Sequence, residues 1–226
     1  KMGNSGSSNG AHLHFEIRES KTNSQMNPLL FGLKIQDEVS PLLSTLKLYE
    51  FDDENKIVSS RALKLKKKEG IYVIEGDTLE TESVYWGLAL KAYDKHSENY
   101  NRNGVYAMDM QLDGAKHFSF SLDAIPVSDT SYLNAHLDYE ERILNSSYYN
   151  RFFKLPGNKL DIYSGSQGDG FVGNTNRVKE VVINVFDING NVSKLKFFVK
   201  ETKREVKSKA PFHNYYLFHN HPNLVV

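Results

Sequence analysis

Short segments in which apolar and polar residues alternate, separated by turn-forming residues, constrain the fold of this chain most strongly. The clearest pair is residues 181–186 (VVINVF) and 192–199 (VSKLKFFV), joined by the turn 187–191 (DINGN). Alternation with a period of two is typical of strands that bury one face, and a short polar turn containing glycine joins antiparallel neighbours. The sequence therefore predicts a β-hairpin over residues 181–199.

The same pattern recurs along most of the chain, at residues 43–51, 57–65, 71–74, 84–93, 106–112 and 117–122. No convincing amphipathic crossover helix follows any of these strands, which disfavours a parallel sheet. We therefore expect an all-β, mainly antiparallel fold, with an immunoglobulin-like β-sandwich over residues 35–202. The polar segment 36–41 predicts the boundary in front of it. We expect at most one short helix, over residues 128–144, capped by Ser128 or Asp129.

The turn 187–191 has a chemistry of its own, and its sequence looks like the last hairpin of many bacterial immunoglobulin-like modules. Asp187 and Asn191 would hydrogen-bond within the turn, and Gly190 would adopt the positive φ that it requires. Carboxylate and amide oxygens also cluster here, so a calcium site is the alternative. Turn chemistry is the favoured interpretation, because it already accounts for these residue types.

Composition limits the classes of function. The chain has 226 residues, enough for one or two domains. Its 28 basic and 28 acidic side chains balance, which argues against a nucleic-acid or anionic-membrane binder, since such proteins carry a basic excess. The absence of cysteine excludes disulfides and cysteine-ligated metals. We find no signal-peptide pattern and expect no transmembrane segment, because no apolar run has the length to span a bilayer.

A glycine- and serine-rich run leads into a predicted strand at residues 12–18 (HLHFEIR). Successive side chains of a strand point to opposite faces, so His12, His14 and Glu16 share one face and the apolar residues between them share the other. Two imidazoles two positions apart form half of a metal site, because zinc binds neutral imidazole nitrogen. The alternative is a solvated pair of histidines on a strand face.

The context of these histidines is more specific than their spacing. Residues 6–11 (GSSNGA), then 12–18 and finally Asn27-Pro28 resemble the C-terminal signature of the lysostaphin/LytM-type zinc metallopeptidases, which cut peptide bonds in bacterial cell walls. The resemblance implies that His14 is a zinc ligand and that His12 lies beside the zinc-bound water and assists catalysis. It also implies peptidoglycan peptides as substrate and an exported protein of the periplasm or cell envelope.

The chain also departs from that family. The family takes its other zinc ligands from an upstream His-x-x-x-Asp motif, and no such spacing occurs in this sequence. We therefore expect residues 1–34 to be the C-terminal end of an incomplete peptidase domain, inactive alone. The missing half would lie in a longer parent protein or in a separate chain. The alternative is a non-catalytic envelope-binding or scaffold module that carries a degenerate peptidase remnant.

The remaining candidates are weaker. Residues 203–226 form a tail or begin a further domain, and His219-Asn220-His221 there is a second His-x-His without the glycine-rich approach. The glycine-rich segment 165–170 lacks the lysine of a phosphate-binding loop and predicts a long hairpin loop. Three other histidines are scattered in the sequence and predict no cluster: His96, His117 and His136. What the sandwich binds is left open.

Overall fold

The structure is a computed structural model that describes residues 10–33, 35–96, 101–164 and 168–202. The predicted tail 203–226, with its second His-x-His, lies outside the described residues. So do residues 165–167 of the predicted glycine-rich loop. Among the described residues, no helix has the length and apolarity needed to cross a membrane.

The described residues form fourteen strands and little helix. The strands are β1 (Ile17–Arg18), β2 (Ser24–Met26), β3 (Leu42–Phe51), β4 (Ile57–Lys68), β5 (Ile71–Ile74), β6 (Thr78–Thr81), β7 (Tyr85–Tyr93), β8 (Ala107–Leu112), β9 (Ala115–Ser121), β10 (Ala124–Pro126), β11 (Tyr149–Arg151), β12 (Val172–Gly173), β13 (Val178–Phe186) and β14 (Val192–Glu201). The helices are α1 (Leu133–His136) and α2 (Tyr139–Asn145), with 3₁₀ turns at Pro28–Phe31 and Val127–Tyr132.

One long sheet curls over itself and encloses the core. Its strand order is β11-β7-β3-β4-β5-β14-β13-β8-β9. Residues 57–64 of β4 pair with β3, and residues 65–68 pair with β5, so β4 carries the sheet from one layer into the other. The pairings are antiparallel except those of β5 and β6 with β14. The prediction of an all-β, mainly antiparallel fold with little helix is confirmed.

The core lies between the two layers of this sheet. It joins Leu46 and Leu88 of the first layer to Ile183 and Phe197 of the second, all at most 1% exposed. Burial of such side chains is the main favourable term in folding, worth roughly 1.5–3 kcal/mol each. The alternate residues of β14 are buried, as its sequence pattern predicts.

The hairpin predicted over residues 181–199 is present. β13 and β14 pair in register from Val178 opposite Lys200 to Phe186 opposite Val192. The predicted hydrogen bonds within the connecting turn are also present, and Gly190 has a φ of +93°.

The predicted helix over residues 128–144 is broken into three short pieces. The break falls at Leu137, which is extended and forms an isolated bridge with Asn150. The side-chain cap is Asp138, at the start of α2, where its carboxylate accepts a hydrogen bond from the backbone of Glu141. Pairing with the sheet thus interrupts a segment whose apolar stripe was only partial.

The first strand is shorter than the sequence predicts. Only Ile17–Arg18 of the predicted strand 12–18 pairs, and its partner is β2. Residues 11–16 have no assigned secondary structure, because a strand needs a hydrogen-bonded neighbour and β2 is only three residues long. β2 pairs in turn with β10, which connects this segment to the main body of the fold.

Candidate functional site

The sequence-predicted site residues lie on an open surface. His12 and His14 are exposed, and the Nδ1 atom of His12 lies 2.9 Å from the carbonyl oxygen of Gly10. The Nε2 atom of His14 lies 3.6 Å from Oε2 of Glu16, so these two side chains share a face as predicted. Within the described ranges, neither histidine belongs to a group of three or more potential metal ligands.

The neighbours of His14 set its electrostatic surroundings. Arg18 donates from Nε to Glu16 over 2.8 Å, and this hydrogen bond is the largest cause that lowers the pKa of the Glu16 carboxyl. His14 acts in the same direction. A carboxylate held ionised beside an imidazole can orient the ring through one nitrogen and leave the other nitrogen for a metal.

The apolar face of this segment is also uncovered. Leu13 is 83% exposed and Phe15 is 59% exposed. Exposed large apolar side chains next to each other are typical of surfaces that contact another protein segment. Leu13 and Phe15 therefore leave apolar surface accessible beside the exposed histidines.

The Asn-Pro pair of the motif anchors the segment to the main fold. The side chain of Asn27 accepts from the backbone of Leu29 and caps the 3₁₀ turn Pro28–Phe31. Its backbone N–H donates to the carbonyl of Asp123 over 2.8 Å, and its side chain donates to the carbonyl of Leu122. Asn27 thus fixes where the histidine-bearing segment meets the sandwich.

A second candidate site, which the sequence did not predict, consists of Asp37, Asp94 and His96. One side-chain donor atom of each residue lies within 4.8 Å of the other two. Nδ1 of His96 lies 3.4 Å from Oδ2 of Asp37. Asp37 is 8% exposed and Asp94 is 4% exposed. Two buried carboxylates and an imidazole are donors that metal ions use in proteins.

Three parts of the fold bring these residues together. Asp94 and His96 follow β7, where Asp94 forms a backbone bridge with Asn103. Asp37 lies in the segment that precedes β3, and its Oδ1 accepts from the backbone of Val39. The turn between β13 and β14 holds this segment, because Asn191 donates from its side chain to the carbonyl of Asp37 over 3.1 Å.

The same turn makes further bonds to the segment before β3. Asn189 donates to the carbonyl of Ile35 over 2.8 Å, and Ser193, in β14 just after the turn, donates to the carbonyl of Pro41 over 2.5 Å. Asp187 remains inside the turn, where its carboxylate accepts from the backbone and the side chain of Asn191. The predicted turn chemistry is therefore present, and it also positions Asp37.

Electrostatics single out Asp94 in this cluster. Burial raises the pKa of its carboxyl above the ordinary value, and the negative charges of Asp187 and Asp37 add to the rise. A backbone hydrogen bond from Lys95 and the nearby His96 oppose it. Among the residues described, Oδ1 of Asp94 is buried with no hydrogen-bond partner. An orphaned buried oxygen costs free energy, so it requires an explanation.

The cluster borders a cleft between the histidine-bearing segment and the sandwich. The cleft has a volume of ≈ 320 Å³, and its lining includes Asn27 and Leu29 on one side and Asp94, His96 and Asp187 on the other.

Sequence reasoning could not find this cluster from spacing. His96 and Asp37 are 59 positions apart, and His96 was interpreted as a scattered histidine. The only local signal is the Asp-x-His spacing of Asp94 and His96.

Comparisons with known proteins add no family. No family model matches this sequence, and no curated protein or solved structure matches it. The resemblance to the lysostaphin/LytM signature therefore rests on the motif in residues 6–28 alone.

Proposed function

We propose that this chain is the carboxyl part of a zinc-dependent endopeptidase that hydrolyses the peptide cross-links of bacterial peptidoglycan, with a β-sandwich as accessory domain. The observation that carries the proposal is the motif itself, with His12 and His14 both exposed and Asn27 capping the turn that follows. The protein would act in the periplasm or cell envelope.

The bare apolar face supports the incomplete-domain part of the proposal. Leu13 and Phe15 are exposed on a segment that pairs only from Ile17 onward. In a complete peptidase domain, further strands would pair with residues 12–16 and cover these side chains. Those strands would also carry the remaining zinc ligands, which the described residues do not place near His14.

The roles of the two histidines follow from imidazole chemistry. His14 would hold zinc through one ring nitrogen, with Glu16 orienting the ring from the other side. Bound zinc would polarise the scissile carbonyl and acidify its water. His12 would accept a proton from the attacking water and return it to the leaving amine. His12 therefore contributes to the rate and His14 to metal affinity.

The test compares single alanine variants in the parent protein that contains this chain together with its missing half. His14→Ala should lower the zinc content by one equivalent per chain relative to the parent, measured by elemental mass spectrometry, and should abolish clearing of a cell-wall suspension. His12→Ala should keep the zinc and lose roughly 10²–10⁴-fold in rate, the usual contribution of a general base. The control is His219→Ala in the second His-x-His, which should change neither quantity.

The competing hypothesis, a non-catalytic envelope module, makes the opposite prediction. Binding to purified peptidoglycan would then persist without zinc, and both histidine variants would behave as the parent does. If His14→Ala keeps the full zinc content of the parent and full clearing activity, the endopeptidase proposal is wrong.

A further inference from the structure

We propose that Asp37, Asp94 and His96 form a binding site for a divalent transition-metal cation, with Zn²⁺ as its best-fitting ion. This site is separate from the histidine pair of the motif and does not depend on the endopeptidase proposal. Its observations are the convergence of three donor side chains, a buried oxygen without a partner, and an adjoining cleft.

The spacing of the donors is close to that of a metal site. Nδ1 of His96 and Oδ2 of Asp37 lie 3.4 Å apart, which is long for a charge-assisted hydrogen bond. Two ligands on a tetrahedral zinc, each about 2.1 Å from the ion, are themselves separated by about 3.4 Å. The full set of donors lies within 4.8 Å, so small side-chain adjustments would bring Asp94 into the same coordination sphere.

The orphaned oxygen of Asp94 is the second, independent observation. Asp94 is 4% exposed, it lines the cleft, and its Oδ1 has no hydrogen-bond partner among the residues described. In the part of the chain that the structure describes, no lysine or arginine forms an ion pair with Asp94 or with the neighbouring Asp187. A bound cation would satisfy this oxygen and neutralise the converging carboxylates.

The donor set selects the class of ion. Calcium and magnesium prefer coordination by oxygen alone, whereas imidazole nitrogen together with carboxylate oxygen suits zinc and related transition metals. Asp187 and Asn191 would act as outer partners, because Asn191 bonds both Asp187 and the backbone of Asp37. Such outer partners hold ligands in place and tune affinity.

The ion would join separate parts of the fold. Asp37 precedes β3 and is held by the turn between β13 and β14, whereas Asp94 and His96 follow β7. Asn27, which anchors the histidine-bearing segment, lines the same cleft. Bound metal would therefore stabilise the position of that segment against the sandwich.

The test is zinc titration by calorimetry of the full chain in which the four histidines of the two His-x-His motifs are alanine (His12, His14, His219 and His221). This background should bind one equivalent of Zn²⁺ and should melt at a higher temperature in its presence. Adding Asp94→Asn, or His96→Ala, should weaken zinc binding at least 100-fold. The matched control is Asp53→Asn at an exposed turn, which should leave the binding unchanged.

The outcomes are decisive either way. Circular dichroism in the near ultraviolet checks that each variant is folded, and His96→Ala replaces Asp94→Asn if the latter is not. Absence of zinc binding at millimolar Zn²⁺, or binding that neither substitution weakens, overturns the site. Ca²⁺ binding that is equally tight and equally sensitive to Asp94→Asn overturns the assignment to a transition metal.

Discussion

Two buried aspartates of this protein, Asp138 and Asp94, have opposite surroundings. They are 3% and 4% exposed, so burial alone does not distinguish them. Nζ of Lys47 donates to Oδ2 of Asp138 over 2.8 Å, Nη2 of Arg151 lies 3.7 Å from its Oδ1, and the hydroxyl of Tyr49 also donates to it. Asp94 instead has other carboxylates as its charged neighbours, together with a single histidine.

The pKa values of the two carboxyls shift in opposite directions. Burial is the largest cause at both and favours the neutral acid. At Asp138 the hydrogen bonds from Lys47 and Tyr49 and the charge of Arg151 outweigh burial and lower the pKa. At Asp94 the charge of Asp187 reinforces burial, and the pKa is raised.

This difference indicates that Asp138 carries a structural charge, whereas Asp94 is a candidate metal ligand. The Asp138 cluster contains its own cations and joins β3, α2 and β11, so its role is to hold the fold together. The Asp94 cluster has an excess of negative charge and borders a cleft. A buried carboxylate with no lysine or arginine paired to it among the described residues is the arrangement that the proposed metal site requires.

The largest loss of stability is expected from replacing Lys47, the lysine that pairs with Asp138. Lys47→Met would leave Asp138 and Glu141 without their closest cation. Breaking a buried pair in this way typically costs about 3–5 kcal/mol. The free energy of unfolding, measured by urea denaturation, should fall by that amount.

The control for this prediction is Lys66→Met. Lys66 pairs with Glu75, and both side chains are more than half exposed, so its loss should cost under about 1 kcal/mol. If both lysine variants lost the same free energy of unfolding, the Asp138 cluster would contribute no more than a surface ion pair. The comparison with Asp94 would then have no energetic basis.

A third buried group extends the comparison to pH. His136 is 2% exposed, and burial lowers its pKa to about 4, opposed by a hydrogen bond with Asn150 and assisted by the charge of Arg151. The unfolded chain takes up the proton near pH 6.5, so the stabilisation is fully present above that pH. It is lost as pH falls from 6.5 to 4, by roughly 3 kcal/mol in total.

The variant that tests this is His136→Phe, which keeps an aromatic ring beside Phe120 and removes the titrating group. Its free energy of unfolding should no longer decline between pH 6.5 and 4, whereas the parent and His14→Ala, which alters an exposed histidine, should both decline. An unchanged slope in His136→Phe would assign the acid sensitivity to the carboxylates instead.

The local parts of the fold could be predicted from sequence and the long-range parts could not. The β13–β14 hairpin is predictable because its alternation and its turn chemistry lie within the consecutive residues 181–199. The curl of the sheet was not, since it depends on β4 pairing with β3 along one part and β5 along the other. The break at Leu137 likewise depends on its bridge to Asn150.

The two candidate sites differ in the same way. His12 and His14 belong to one short motif, so sequence alone could propose them, and their roles stay predictions. Asp37 and His96 come from distant parts of the chain, and Asp37 is held by a turn that lies far along the chain from both. The chemistry of Asn191 was predicted only within its own turn, because nothing in the sequence indicates that its side chain also reaches Asp37.

The smallest change in the free energy of unfolding is expected for Asp94→Asn, and it is a gain, whereas the other substitutions cause losses. Asp94→Asn removes a buried charge that the metal-free fold does not compensate, so the free energy of unfolding in the presence of a chelator should rise, by up to about 1 kcal/mol. The same substitution at Asp138 should lower it, because Lys47 and Arg151 would lose their partner. Saturating Zn²⁺ should reverse the order at Asp94, since only the parent gains stability from the ion. Urea denaturation, once with chelator and once with zinc, measures the change in the free energy of unfolding under each condition. A loss of stability in Asp94→Asn without metal would mean that Asp94 is compensated like Asp138, and the distinction between the two clusters would have to be abandoned.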